Sequence, residues 1–337
     1  MQVVLSLRVG GLERVVLDLV HNASDEFRLV VCCLEEPGTW ADEAPRVVTL
    51  GKRPGVDWRM FTKIARLARA ENVDVIHTHN STAHLYGAVG GKLAGVKVLH
   101  TEHGTNVGEE ARYHRLNRLA ARFTDFTVAV SQKNAEIAVA HEGVRPARLQ
   151  VIPNGIRIDR FDGTHYSPRR LVGTVGRLVR EKNYPLLLRA VAAMSDTDLV
   201  LVGDGPSRDE LERQAGPRVQ FLGQRTDVAK LLAGFDVFVL SSNTEGMSIA
   251  LLEAMAAACP IVVTAVGGNT ELIQHEVTGL VVPPDDEVAL RAAIERLLGD
   301  RILATRLGTA AREAASQRYS VRVMTQRYEE LWRRLAA

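Results

Sequence analysis

The sequence predicts an α/β protein built from two parallel-sheet halves of similar size. Three observations carry that prediction. Short β-branched runs alternate with helical segments almost from end to end, the alternation restarts near residue 165, and 337 residues suit two ordinary domains. Such alternation implies right-handed crossovers, so ligands belong at the C-terminal ends of the strands.

In the first half the strands are Val3–Leu7, Leu29–Leu34, Val47–Leu50, Val73–His77, Val96–His100, Phe126–Val130 and Leu149–Ile152, all short apolar runs of the kind buried on both faces. Helical segments lie between them, among them Leu12–Val20, Trp58–Ala70 and Ala111–Arg122. The polar stretch Asp159-Arg-Phe-Asp-Gly-Thr-His-Tyr-Ser-Pro168 then interrupts the pattern and is read as the linker. The second series comprises Leu171–Val175, Leu199–Val202, Val219–Leu222, Val237–Leu240, Ile261–Thr264 and Gly279–Val282. Its helices include Tyr184–Ala193, Pro206–Ala215, Val228–Ala233, Ser248–Ala258 and Val288–Leu298, followed by Arg301–Ser316 and Ser320–Leu335. The expected domains are therefore 1–160 and 165–319.

Composition excludes several classes. A net charge of +2 gives no global field to attract nucleic acid. No run approaches the roughly 18 apolar residues of a membrane span. Met1-Gln-Val-Val-Leu-Ser-Leu enters a strand without a basic region or cleavage site, so a cytoplasmic location is expected. Cys32, Cys33 and Cys259 form no metal or redox spacing and are read as small buried apolar residues.

The most informative stretch is Leu240-Ser-Ser-Asn-Thr-Glu245-Gly246-Met247-Ser248-Ile249-Ala-Leu-Leu-Glu253. The strand before it stops at Ser241, and a helix opens near Ser248, a suitable N-cap. The backbone N–H groups of Met247, Ser248 and Ile249 would face an anion there, next to Gly246. Glu245 and Glu253 would flank that anion. Five helical residues rise about 7.5 Å, too far for a shared proton but suited to gripping hydroxyls at both ends of a diphosphate-linked molecule. A nucleotide-sugar has that shape.

Other strand ends carry compatible chemistry. Gly176-Arg177-Leu-Val-Arg-Glu-Lys182-Asn183 puts a guanidinium fork and an ammonium point charge on one turn, where both could reach a diphosphate. Gly203-Asp204-Gly205-Pro206 is a tight turn into a helix, and Arg208 at the place of a third glycine argues against a dinucleotide site. Gly10-Gly11-Leu-Glu13 opens the first helix and lets a ligand approach the backbone. His79 and His103 follow two strands of the same half.

Together these motifs resemble the retaining glycosyltransferases of family 4, which have the glycosyltransferase B fold of two Rossmann-like domains facing across a cleft. Glu245-x7-Glu253, Gly267-Gly268-Asn-Thr-Glu271, Gly176-Arg-Leu-x3-Lys182-Asn183, Gly203-x-Gly205-Pro and Gly10-Gly11-x-Glu13 carry the resemblance. It implies that Arg177 and Lys182 neutralise the leaving diphosphate, that Glu245 orients the donor sugar and Glu253 the ribose, and that His103 faces the sugar. Gly10, Gly11, Gly176, Gly203, Gly205 and Gly246 would line the donor, with His79 and Glu13 on the acceptor side. No metal or cofactor is implied beyond the nucleotide-diphosphate sugar. Pro153-Asn-Gly-Ile156 is similar to the hinge motif of the family, with Arg157 where Asp is commoner. The resemblance also implies that the last helix, 320–337, returns to the N-terminal domain.

The expected activity is transfer of a hexose-type sugar to a glycan or lipid-linked acceptor in cell-surface polysaccharide or lipopolysaccharide synthesis. A nucleotide-sugar 2-epimerase of the same fold and a two-domain solute-binding protein are the alternatives. Asp196-Thr-Asp198 matches a metal-binding D-x-D but precedes a strand, so it reads as a turn. Arg112, Arg115, Arg118 and Arg122 recur at helical spacing; a solvated helix face would explain them, and so would peripheral contact with an anionic membrane, the reading taken here.

Overall fold

The computed structural model describes residues 1–104, 110–161 and 170–337, with the backbone alone for 110–113, so residues 162–168 of the polar stretch lie outside the described residues. The chain forms two compact units, Met1–Gly155 with Val321–Ala337, and Ile156–Ser320. It thus passes between them at Gly155–Ile156, right after Pro153-Asn154, and returns at Ser320–Val321.

The first unit holds seven strands: β1 (Gln2–Val4), β2 (Val31–Cys33), β3 (Val47–Thr49), β4 (Val75–His79), β5 (Lys97–Glu102), β6 (Phe126–Ala129) and β7 (Leu149–Val151). They form one parallel sheet in the order β3-β2-β1-β4-β5-β6-β7, with Gln2 opposite His77 and Thr78 opposite His100. The connecting helices are α1 (Gly11–Asn22), α2 (Arg59–Ala70), α3 (Ser81–Ala94), α4 (Glu110–Ala121) and α5 (Gln132–Glu142). Cys32 and Cys33 are fully buried in β2, where burial pushes their thiols up to about 12 and about 11.

The second unit has six parallel strands: β8 (Leu171–Val175), β9 (Asp198–Val202), β10 (Val219–Phe221), β11 (Val237–Leu240), β12 (Ile261–Thr264) and β13 (Leu280–Val282), ordered β10-β9-β8-β11-β12-β13. Its helices are α6 (Tyr184–Ala192), α7 (Arg208–Gln214), α8 (Val228–Leu232), α9 (Ile249–Ala256), α10 (Asn269–Leu272), α11 (Glu287–Gly299) and α12 (Arg301–Arg318). Leu187, Leu199, Leu201, Val237, Val239, Leu290 and Ile294 make its core, all without exposed surface. Asp196 sits in the turn before β9, exposed and paired with Arg170 at 3.0 Å.

The final helix, α13 (Val321–Ala336), belongs to the first unit. Trp332 meets Phe27 edge-on at 5.4 Å, Ser24 N–H donates to Glu329 at 2.7 Å, and Tyr328 bonds Thr101 on β5 at 3.0 Å. The buried aromatic area, more than the exposed Arg333–Glu26 pair, fixes this contact.

The strand limits differ from the sequence expectation at functionally relevant ends. β1 stops at Val4, and Leu7, although buried, instead donates its N–H to Pro37. β4 and β5 run to His79 and Glu102, beyond the expected His77 and His100. Polar side chains can continue these strands because they satisfy one another: Thr78 Oγ1 bonds His100 Nδ1 at 3.0 Å, and His77 Nε2 bonds Thr101 Oγ1 at 2.7 Å.

Candidate active site

In the second unit the strand order reverses between β8 and β11, the place where open α/β sheets present ligands. The loops after these two strands are stitched together. Asn243 N–H donates to Glu181 O at 2.8 Å, and Ser241 Oγ donates to Lys182 O at 3.0 Å. Asn183 sits at φ +46°, a left-handed conformation that asparagine tolerates, and its amide donates to both Asn243 and Asp285.

This stitching brings Lys182 and Glu245 together. Lys182 Nζ lies 2.5 Å from Glu245 Oε1, and the same oxygen accepts from Ser242 Oγ at 2.6 Å. Both side chains are largely sheltered, at 17% and 9% exposure, so water screens the pair little. Ser242 is fully buried, and its carbonyl accepts from Thr264 Oγ1 at 2.6 Å, which anchors the loop to β12. Arg177, exposed, stands on the same β8 loop.

Two glycine turns form the floor. Gly267 has φ +47°, and a Cβ there would stand 1.8 Å from Glu245 O; a Cβ on Gly268 would stand 2.0 Å from Gly246 O. Gly203, at φ +134°, would place a Cβ 2.0 Å from Gly176 O. The glycines at 203, 267 and 268 are thus required by loop-on-loop packing, and Gly205 likewise abuts Leu178 O.

After Glu245-Gly246 the chain enters α9. Ser248 caps it in extended conformation, its Oγ accepting from Leu251 N–H at 3.3 Å. The opening amides, Ile249 first, have no helical carbonyl behind them and give this end its positive character. Met247 is buried on the loop, and Glu253 lies half-buried one turn into the helix.

In the first unit the order reverses between β1 and β4. Gly10 caps α1 with extended backbone, and Glu13 curls back so that a Cβ on Gly10 would stand 2.2 Å from its carboxylate. Gly11 is exposed beside it. His103, just past β5, is partly exposed, while His79, at the end of β4, is fully buried. Nδ1 of His79 lies 3.0 Å from Nε2 of His103, and its Nε2 lies 2.8 Å from Gln2 Oε1. With both nitrogens engaged and no surface exposed, His79 stands behind His103. Burial, then His100, lowers His103 to about 3, and burial lowers His100 to about 3; His77, His79 and His84 also fall well below the usual imidazole value.

A second buried polar cluster adjoins. Asn117 donates to Glu102 at 3.0 Å and to Glu142 at 2.9 Å, and His84 stacks on His100 at 3.6 Å. Burial and the neighbouring Glu102 raise Glu142 to about 7. On α4, Arg115 and Arg118 are exposed with Leu119 (44%), and exposed Arg122 and Phe123 (37%) follow just past its end; the Arg112 side chain lies outside the described residues. Among the described residues no helix is long and apolar enough to cross a membrane.

Gln2, Ser242 and the steric role of Gly267 were not legible as site features. A glutamine inside an apolar strand, and paired serines at a strand end, were the available signals.

Two Rossmann-like units, each with its polar loops at the reversal of strand order, define an α/β protein of the glycosyltransferase B fold. The Glycosyltransferase Family 4 pattern matches residues 9–160, and that of the Glycosyl transferases group 1 matches residues 169–300. The chain belongs to this family. It is 29% identical to the UDP-Gal:alpha-D-GlcNAc-diphosphoundecaprenol alpha-1,3-galactosyltransferase of Escherichia coli, over 88% of this chain and 86% of that one. It is 31% identical to the putative teichuronic acid biosynthesis glycosyltransferase TuaC of Bacillus subtilis, over 68% of this chain and 62% of that one. Among solved structures, Anabaena Alr3699/HepE in complex with UDP superposes with a TM-score of 0.85 at 25% identity, covering 99% and 100% of the two chains.

Proposed function

We propose that the protein is a retaining, metal-independent glycosyltransferase. It moves a hexose-type sugar from a nucleotide-diphosphate sugar to a glycan or lipid-linked acceptor in cell-surface polysaccharide synthesis. The observation that carries this reading is the Lys182–Glu245 pair, 2.5 Å apart where the loops after β8 and β11 meet. A sheltered ammonium beside a carboxylate offers the two contacts that a sugar diphosphate needs: a cation for phosphate oxygens and an acceptor for sugar hydroxyls. Names of the similar proteins support the class, since they include a UDP-galactose-dependent transferase acting on a diphosphoundecaprenol-linked sugar and a structure holding UDP.

In this mechanism Arg177 and Lys182 receive the negative charge that develops on the departing diphosphate, helped by the amides at the start of α9. Glu245 orients the sugar and Glu253 the ribose. His103, neutral because of its burial, adds a hydrogen bond to the sugar. Retaining glycosidases need two carboxyls about 5 Å apart. The motif offers no such pair, so the acceptor attacks on the face that the leaving group vacates.

The test is hydrolysis or transfer across UDP-, GDP-, ADP- and dTDP-sugars in the presence of EDTA, with Glu245→Ala in parallel. Turnover of one donor, lost in the variant and released with the donor's anomeric configuration, is the expected result. Turnover that requires added divalent metal, or a product of inverted configuration, refutes those parts of the reading. Exposed Arg115, Arg118 and Leu119 of α4, with Arg122 and Phe123 just past its end, support peripheral contact with an anionic membrane. Co-sedimentation with phosphatidylglycerol vesicles, weakened by salt and absent with phosphatidylcholine, is the matching expectation.

A further inference from the structure

Gln2 opens β1, deep in the first unit at 1% exposure. Its Oε1 lies 2.8 Å from Nε2 of His79, whose Nδ1 lies 3.0 Å from Nε2 of His103. With the Gln2 amide placed oxygen toward His79, the direction of both bonds follows. A carbonyl oxygen only accepts, so His79 carries its hydrogen on Nε2. A neutral imidazole has one N–H, which leaves Nδ1 of His79 bare and able only to accept. The hydrogen in the second bond therefore belongs to Nε2 of His103. Nδ1 of His103 is then the bare, accepting nitrogen.

The rings have little freedom to reverse this. His79 packs against His77 with centroids 4.2 Å apart, and His77 is tied through Thr101 to Tyr328 of α13. Burial keeps the His79 and His103 rings neutral across the physiological range, so the single-hydrogen argument holds.

We propose that Gln2 and His79 are positioning residues that lock His103 as its Nε2–H tautomer, so that Nδ1 accepts a hydrogen bond from a hydroxyl of the transferred sugar. The identity of that hydroxyl's owner rests on the glycosyl-transfer reading above; the tautomer does not. A sugar hydroxyl must then act as donor toward His103, which leaves its lone pairs for other contacts. A ring of the opposite tautomer would demand the reverse polarity.

Nitrogen-15 spectra of histidine-labelled full-length protein read the tautomers directly, without any substrate. The expected result is Nε2–H on both His79 and His103, with the Nδ1 resonance of His103 moving on addition of UDP-glucose and not of UDP. Gln2→Leu keeps the volume and removes the acceptor. It should release the tautomer and lower kcat/KM for UDP-glucose hydrolysis by roughly 5- to 10-fold, the worth of one hydrogen bond, while UDP affinity stays within about twofold. His79→Gln, which can still donate to Gln2 and accept from His103, should lose less kcat/KM than His79→Leu, which can do neither. A His103 ring protonated on Nδ1 in the wild type overturns the proposal, as does Gln2→Leu with unchanged turnover. If both tautomers are as stated but UDP-glucose neither turns over nor moves His103, sugar recognition by this ring fails together with the transfer reading. If turnover is present and the tautomer is wrong, the relay alone falls.

Discussion

Lys182 and Glu245 hold each other, so a phosphate approaching the ammonium and a sugar hydroxyl approaching the carboxylate would each compete with that contact. Removing Lys182 (Lys182→Ala) takes away charge stabilisation of the leaving group and leaves a sheltered carboxylate held by Ser242. Loss of kcat on the order of 10² to 10³ is expected from donor hydrolysis kinetics, in line with other single electrostatic contacts at a transition state. Ser242→Ala should be milder, because Glu245 keeps Lys182. It removes one hydrogen bond to a charged group, worth about 1.5–3 kcal/mol, and a loss of 10-fold or more in kcat/KM with the fold intact would support that role. Gly267→Ala probes the floor rather than the chemistry. Its Cβ would collide with Glu245 O at 1.8 Å, so the loop that carries Glu245 must shift. Activity should fall together with thermal stability, by about 1–3 kcal/mol, and a variant as stable and active as the wild type would contradict the packing argument.

At the scale of elements, α9 and α13 are set by different means. α9 depends on its cap, so Ser248→Ala should cost about 1 kcal/mol in chemical denaturation and fray the end that carries its opening amides. α13 depends on burial, and Tyr328→Phe removes only the bond to Thr101, so a loss of about 1 kcal/mol is expected with α13 still docked through Trp332. The strands of both sheets were legible because apolar β-branched runs have no competing explanation in an alternating chain. α3 and α5 were not singled out, for physical reasons. α3 carries three glycines, and Gly91 lets the helix approach β5 so closely that a Cβ would stand 2.4 Å from Val98. Such residues weaken a helix signal in sequence and strengthen the packing of the folded one. α5 buries alanines and Asn134 and lacks an amphipathic stripe to read. The Glu245 loop was legible because its motif is local. The His79–His103 pair joins the end of β4 to the residue just past β5, and only the register of β4 beside β5 makes them neighbours.

At the scale of the molecule, the two units should respond differently to acid. The buried imidazoles among the described residues, His77, His79, His84 and His100, all lie in the first unit, with partly exposed His103 beside them. Their folded pKa values are lowered, mainly by burial, so between the unfolded value of about 6.5 and the lower folded value the unfolded chain binds more protons. Stability carried by these rings is therefore present above about pH 6.5 and is lost as the pH falls. Each ring that protonates on unfolding contributes a slope of about 1.4 kcal/mol per pH unit in that window. Glu142 acts in the opposite sense: raised to about 7, it binds its proton more readily in the folded state and favours folding as pH falls from about 7 towards 4.5. One carboxyl does not offset several imidazoles, and below its unfolded pKa its contribution is constant while the rings are still being titrated. Hydrogen exchange followed peptide by peptide at pH 7, 6 and 5 should show β4 and β5 losing protection by several kcal/mol while β8 and β11 of the second unit, whose core strands carry no histidine, change far less. Equal losses in the two units would mean that the imidazoles are not buried neutral. The tautomer assignment of His79 and His103 rests on the same neutrality, so this experiment tests its premise from an independent direction.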